Sequence, residues 1–338
     1  MSRTRHLIAV GLSAVVGLAV NSGAASSPAP LAGPVTSLAL DPRNASVVYA
    51  ASAEGGVWKS VNGGQTWQRL AVPSGGVADL VAHPTRPGVV YAAIGRKGVF
   101  KTKDGGRSWR AMNAGLRGLR VSVLAIAGTE PEVVYAGTLQ GTWRAGALGR
   151  TRRAAALIFK STNGGRSWHE VWKSHPSNQV RDMSVHPRAR TIWATTYGFV
   201  LKSTDGGRTW PSVGGRQLGG PMGHAGPGVP QVAVSPRTPR IVYLGAGGGV
   251  YRSPDGGRRW AWEPLPRGRN FTAFAFDPLA ADMLFVSTND GVYKRAEGGT
   301  GWQAIGPRAK ALSLAIDSAG TTLYAGTRRG VVAYELPR

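Results

Sequence analysis

The chain has 338 residues, 41 Lys and Arg against 17 Asp and Glu, a formal net charge of +24, 49 Gly, 11 Trp and no Cys. The lack of Cys excludes disulfide scaffolds, thiol catalysis, cysteine-ligated zinc and iron–sulfur clusters. Abundant Gly and Trp, 42% apolar residues and no long segment of 3.6-residue periodicity predict an all-β chain with a packed core and many tight turns.

In chain order, Arg3, Arg5 and His6 precede an apolar run from Leu7 to Val20, followed by the small residues Ser22–Ala25. This pattern reads as a cleavable export signal over residues 1–25. The run of 14 residues is shorter than the ~20 a spanning helix needs, so the mature protein is expected to be periplasmic or extracellular, without a transmembrane span. Residues 26–34 are Pro-rich and read as a linker or closing segment, and residues 35–338 as one repeat domain.

An octapeptide recurs six times in that domain, at Ser60–Trp67 (SVNGGQTW), Thr102–Trp109, Ser161–Trp168, Ser203–Trp210, Ser253–Trp260 and Arg295–Trp302. Its acidic or amide position is Asn62, Asp104, Asn163, Asp205, Asp255 and Glu297, and its Trp is Trp67, Trp109, Trp168, Trp210, Trp260 and Trp302. Before each box lie an apolar strand ending near a Pro (strand A, VTSLALDP type), a VVYA-type strand (B) and a Gly-led strand (C, GVWKS type); strand D is expected to begin at the Trp. Four strands per unit of about 42 residues predict propeller blades, with the boxes at the C–D turns. Strands A to C recur a seventh time after Ala311, so seven blades are favoured, with residues 26–34 able to donate the missing strand; six blades plus an edge sheet are the alternative. Each box reads as a folding device: the Asp or Asn accepts backbone N–H groups, the Gly pair takes positive φ, and the Trp enters the core.

The boxes resemble the Asp-box, or BNR, repeat of sialidases, sortilin-type receptors and xyloglucanase-type glycosidases. The blade phrasing is most similar to the photosystem II assembly or stability factor family. That resemblance implies the fold, places the boxes on the face away from the binding site, and implies a chaperone-like role toward an unassembled membrane protein.

The face bearing the B–C and D–A connections is therefore read for function. The blade 3 insertion, at about residues 139–157, carries Arg144, Arg150, Arg152 and Arg153, and neighbouring connections add Arg117, Arg120, Arg267, Arg269, Arg328 and Arg329. Convergence of these residues would attract an anionic protein segment or polysaccharide in a salt-sensitive way. The opposite face also carries Arg, so uniform basicity is the competing reading. A second insertion, Arg216–Pro230, contains His224 and reads as a solvated loop.

A glycosidase needs two carboxylates about the scissile bond. Asp79 and Asp182 stand at the strand A position near the channel entrance, with Glu54 and Asp290 as outer candidates and Glu170 and Glu263 on outer strands. The preferred reading is that Asp79 and Asp182 bond channel water or an Arg. The Arg-Ile-Pro segment of sialidases is missing, and no phosphate-loop or metal-binding spacing is present. His83 and His186 precede Pro at a repeat position and read as turn residues. No cofactor, metal or specific nucleic-acid partner is expected. The sequence thus predicts an exported, monomeric, non-catalytic scaffold for an anionic partner, the alternative being an extracellular glycoside hydrolase.

Overall fold

The computed structural model describes residues 31, 33–116, 118–128, 130, 132–139, 142–145, 150–153, 155–176, 179–186, 190–196, 199–213, 231–266, 270–280, 283–295, 301–306 and 308–336. Among them the chain forms a seven-bladed propeller of antiparallel meanders. Blade 1 contains β1 (Val35–Leu40), β2 (Val48–Ser52), β3 (Val57–Ser60) and β4 (Gln68–Leu70). Blade 2 contains β5 (Val77–Ala82), β6 (Val90–Ile94), β7 (Gly98–Thr102) and β8 (Arg110–Ala111). Blade 3 pairs β9 (Val121–Ile126), β10 (Val134–Thr138), β13 (Ala155–Ser161) and β14 (His169–Pro176), and a separate ribbon of β11 (Thr142–Ala145) and β12 (Arg150–Arg153) interrupts it.

Blade 4 is β15 (Val180–Val185), β16 (Ile192–Thr196), β17 (Val200–Ser203) and β18 (Ser212–Val213). Blade 5 is β19 (Gln231–Val234), β20 (Val242–Ala246), β21 (Gly249–Ser253) and β22 (Ala261–Pro264). Blade 6 is β23 (Phe271–Phe276), β24 (Leu284–Thr288), β25 (Val292–Arg295) and β26 (Gln303–Ile305). Blade 7 has three described strands, β27 (Ala311–Ile316), β28 (Thr322–Thr327) and β29 (Gly330–Glu335). The D strands begin one or two residues after the box Trp, and β13 begins at Ala155, so the blade 3 insertion ends earlier than its sequence suggested.

Burial follows position in the blade. Strands such as β2, β6 and β20 are buried along their whole length, because neighbouring blades cover both faces, and their sequences (VYAAS, VYAAI, VYLGA) are accordingly apolar without alternation. The innermost strands alternate buried and half-buried residues, as in β1, since one side faces the central channel. The outer strands are short and largely exposed except β14, which has eight residues.

The boxes behave as local turn devices. In blade 2, Asp104 Oδ1 accepts from Ser108 N (2.9 Å) and Thr102 Oγ1 (2.7 Å), while Thr102 Oγ1 accepts from Gly106 N (2.9 Å). Asn62, Asn163, Asp205 and Asp255 repeat the bond to the backbone N–H four residues on. Ser108 Oγ and Thr209 Oγ1 also donate to Oδ2 of Asp104 and Asp205, and these hydroxyl bonds, with the backbone N–H bonds that lead for Asp255, hold the three carboxyl groups below the usual range. The Trp residues depart from expectation: Trp168 and Trp210 are buried, whereas Trp67, Trp109, Trp260 and Trp302 are half-buried. Trp67, Trp210 and Trp260 donate Nε1–H to the second Gly of their own box, and Trp168 to Met112 O of the preceding blade (2.8 Å). Glu297 lies outside the described residues.

A cationic latch joins successive blades. Lys59, Lys101, Lys160 and Lys202, fourth in the C-strand phrase, donate to the carbonyls of Gly105, Gly164, Gly206 and Gly256 in the next blade's box, at 3.2, 3.2, 2.7 and 2.7 Å. Tyr91 and Tyr135 donate to the same Gly164 and Gly206 carbonyls. Each ammonium lies over an aromatic ring of its own blade, 4.6–5.8 Å from the centroid. Burial pushes the Lys101 and Lys202 ammonium groups down from the usual lysine range.

The ring closes between blades 7 and 1. Ser313 Oγ donates to Val35 O (3.3 Å) and Tyr324 OH to Ala45 O (3.4 Å). Leu31, 6% exposed, is buried with Val35 and Val331. Leu70 in blade 1 packs with Val57 and Val77, and Leu265 in blade 5 with Val250 and Phe271. Leu31 therefore gives blade 7 the apolar side chain that other blades draw from the D strand or the residue after it.

Candidate functional site

The channel mouth is built by a repeated irregularity. The innermost strands bulge between Val35 and Ser37, Val77 and Asp79, Val180 and Asp182, Phe271 and Ala273, and Ala311 and Ser313. A bulge re-aims the following side chain, and it sets Ser37, Asp79, Asp182, Ala273 and Ser313 at one level of the ring. Ser37, Asp182, Gln231, Ala273 and Ser313 line a channel cavity of about 270 Å³.

Asp79 and Asp182 stand where the sequence placed them, with different partners. Asp79 Oδ1 accepts from Ser37 Oγ and Leu80 N (both 2.9 Å), and Oδ2 accepts from Leu124 N in the next blade (2.8 Å). Asp182 Oδ1 accepts from Met183 N (2.8 Å), and Oδ2 from Val232 N in the next blade (2.9 Å). The carboxylates staple neighbouring blades through backbone amides. Both residues keep part of their surface open to the channel, yet their carboxyl groups sit inside the ring of strands. Desolvation raises Asp79 to about 6 against the opposing hydrogen bonds, and Asp182 to about 7, with the Asp79 charge adding to the rise.

Exposed cations occupy the turns at both ends of the propeller, and the number of acidic residues beside them differs. On the B–C and D–A face, Arg96, Lys97, Arg120, Arg308, Lys310, Arg328 and Arg329 are exposed, and the described turns contribute two acidic residues, Glu54 and Asp290. The box face carries Asp41, Glu130, Glu132, Asp277 and Asp317 in its A–B turns, besides Asp104, Asp205 and Asp255 in the boxes. Exposed Arg43, Lys103, Arg107, Arg166, Arg208, Arg237, Arg240 and Arg258 share that face, where Arg86 pairs with Glu132, Arg190 with Glu130 and Arg259 with Asp255. Arg144, Arg150, Arg152 and Arg153 are placed by backbone on the blade 3 ribbon, whose base is tied to Arg120 by Leu139 N donating to Arg120 O (3.0 Å). Arg117, Arg267, Arg269 and the Arg216–Pro230 insertion with His224 lie outside the described residues, as does the export signal.

Phe199, in the B–C turn of blade 4, is 51% exposed on the basic face; its signal was only a Phe beside the C-strand start. His83 is buried and its Nδ1 accepts from Thr85 N (3.2 Å) and Arg86 N (3.1 Å), the turn role read for it. Burial pushes its imidazole down from the usual histidine range, and the Arg86 charge adds to the shift. Glu170 and Glu263 lie on the outer strands β14 and β22, and Glu263 pairs with Arg295 (3.0 Å). Among the described residues, no three His, Asp or Glu side chains are grouped to hold a metal ion, and no helix is long and apolar enough to cross a membrane.

Blade count, strand order and channel define a seven-bladed β-propeller, and the solved structures similar to this chain are propellers. A GH74 xyloglucanase from Xanthomonas campestris superposes with a TM-score of 0.67 at 18% identity, over 91% of this chain and 52% of that one. The present chain thus spans about half the length of that enzyme. YCF48 bound to a D1 peptide gives 0.66 at 12% identity, covering 92% of this chain and 96% of YCF48. YCF48 from Cyanidioschyzon merolae gives 0.66 at 14% identity, with 93% and 98% covered. No family description and no curated protein matches the sequence.

Proposed function

We propose that the protein is an exported, non-catalytic scaffold of the Asp-box propeller class, of the photosystem II assembly factor kind, that holds an anionic partner on its B–C and D–A face. The observation carrying this reading is the scarcity of carboxylates beside the cations of that face. Exposed cations occupy both ends, but those on the B–C and D–A face have two acidic neighbours among the described turns, Glu54 and Asp290, whereas the box-face cations share their turns with eight and three box-face arginines are paired. Such a face concentrates an anionic ligand and speeds its capture at low ionic strength. The partner class is an acidic protein segment or acidic polysaccharide. YCF48, similar over nearly its whole length, has been seen with a peptide bound, which supports a protein segment.

The fold is shared with a xyloglucanase, and channel carboxyls raised toward neutrality are a feature of glycosidase acids, so a hydrolase is the second reading. Against it, both oxygens of Asp79 and of Asp182 accept backbone N–H bonds that hold the ring together.

The test is capture of envelope and secreted material by the purified protein across a salt series, beside an Arg150→Ala/Arg152→Ala/Arg153→Ala variant. Recovery by wild type that falls with salt and with the substitutions is expected. Equal recovery by both proteins overturns the basic-face reading. Cleavage of a glycan that disappears in Asp79→Asn/Asp182→Asn would establish the hydrolase instead.

A further inference from the structure

The blade 3 insertion is an antiparallel ribbon that belongs to no blade: β11 pairs only with β12 among the described residues. Each strand therefore has one edge whose backbone N–H and C=O groups have no strand partner among the described residues, a template for pairing with another chain. The register sets Trp143 opposite Arg152 and Ala145 opposite Arg150, with Arg144 opposite Thr151 and Thr142 opposite Arg153 in between. Directly opposed residues share a face and successive residues alternate, so Arg150 and Arg152 belong to one face of the ribbon and Arg144 and Arg153 to the other. No acidic residue occurs anywhere in 139–157.

This arrangement selects its occupant. A second copy of the ribbon adding at β12 would set arginine beside arginine, and like charges directly opposite destabilise a sheet. An extended segment with acidic residues at alternate positions sets carboxylates beside Arg150 and Arg152, while its backbone takes up the free edge. We propose that the β12 edge captures an extended acidic peptide by strand addition, so that main-chain bonds supply affinity and the arginine register supplies selectivity. This rests on the anion-binding reading above and specifies its mode.

Two synthetic peptides of equal charge separate the possibilities: an acidic Glu-Val repeat, and a Glu-Pro repeat that lacks half the amide N–H groups and cannot extend a sheet. Binding to the wild-type protein is measured by fluorescence anisotropy, with amide hydrogen exchange followed at residues 150–153. Strand addition requires the Glu-Val peptide to bind about tenfold or more tightly than the Glu-Pro peptide, the equivalent of about two net hydrogen bonds, and to slow exchange along β12. Equal affinities, or unchanged exchange, overturn strand addition and leave charge-driven capture standing. Failure of both peptides to bind overturns the acidic-segment reading together with this one.

Discussion

Asp79 and Asp182 occupy channel positions that invite a catalytic interpretation, and their hydrogen bonds assign them structural work. Each carboxylate receives N–H groups from its own strand and from the adjacent blade. Replacing Asp79 by Asn turns an acceptor oxygen into an NH₂ group facing a backbone N–H, so Asp79→Asn is expected to cost about 1–3 kcal/mol, read from the urea midpoint. An unchanged midpoint would show that the staple carries no stability. The sequence located both residues correctly, because the strand A phrase fixes their register; it could not identify the acceptor's partner, because backbone amides of the next blade leave no mark in the local pattern. Leu31 makes the complementary point. Its Pro-rich surroundings read poorly as a strand, yet burial with Val35 and Val331 predicts a loss of about 2–5 kcal/mol for Leu31→Ala, measured by chemical unfolding.

Among elements, the ring of innermost strands and the ring of boxes respond oppositely to pH. Asp79 and Asp182 are raised in the folded protein to about 6 and about 7, above the unfolded value of about 4. Their contribution is fully present below the unfolded value and is lost as pH rises through 6 and 7. Asp104, Asp205 and Asp255 are depressed, so theirs is present above pH of about 4 and is lost as pH falls below it. Stability is therefore expected to fall between pH 5 and pH 8 on the channel groups' account. The fall should shrink in Asp79→Asn/Asp182→Asn, as checked by urea midpoints at both pH values; an equal fall in wild type and variant would reject the assignment. The latch lysines belong to this scale too. Lys101→Ala removes the bond to Gly164 O and is expected to cost about 1.5–3 kcal/mol, read calorimetrically. Acidic-peptide affinity should be unchanged, since Lys101 is buried between blades. These lysines stood in plain view in the C-strand phrases, but sequence periodicity reports that a position repeats, and not that its side chain reaches into the next blade.

For the molecule as a whole, the repeat made blade number, strand order and box position legible, because each is encoded locally and six times over. Charge polarity was only half legible: the basic connections could be counted, but the carboxylates answering them had first to be sorted by turn. The polarity predicts that partner capture weakens steeply with salt, through cations distributed over several connections. Restoring a single arginine to the triple Arg→Ala variant should therefore recover part of the binding and not all of it, as measured by titration at fixed ionic strength.

Blade 7 contributes three described strands, and its contact with blade 1 includes the Ser313–Val35 and Tyr324–Ala45 bonds and the Leu31 cluster. A closed ring of near-equivalent sectors shares strain evenly until one junction parts, after which each remaining sector has lost a neighbour. That junction sets the gate for the molecule's slow breathing: a protease or a pulling force should find its first purchase there, and a covalent clasp across it would lengthen the lifetime of every other blade.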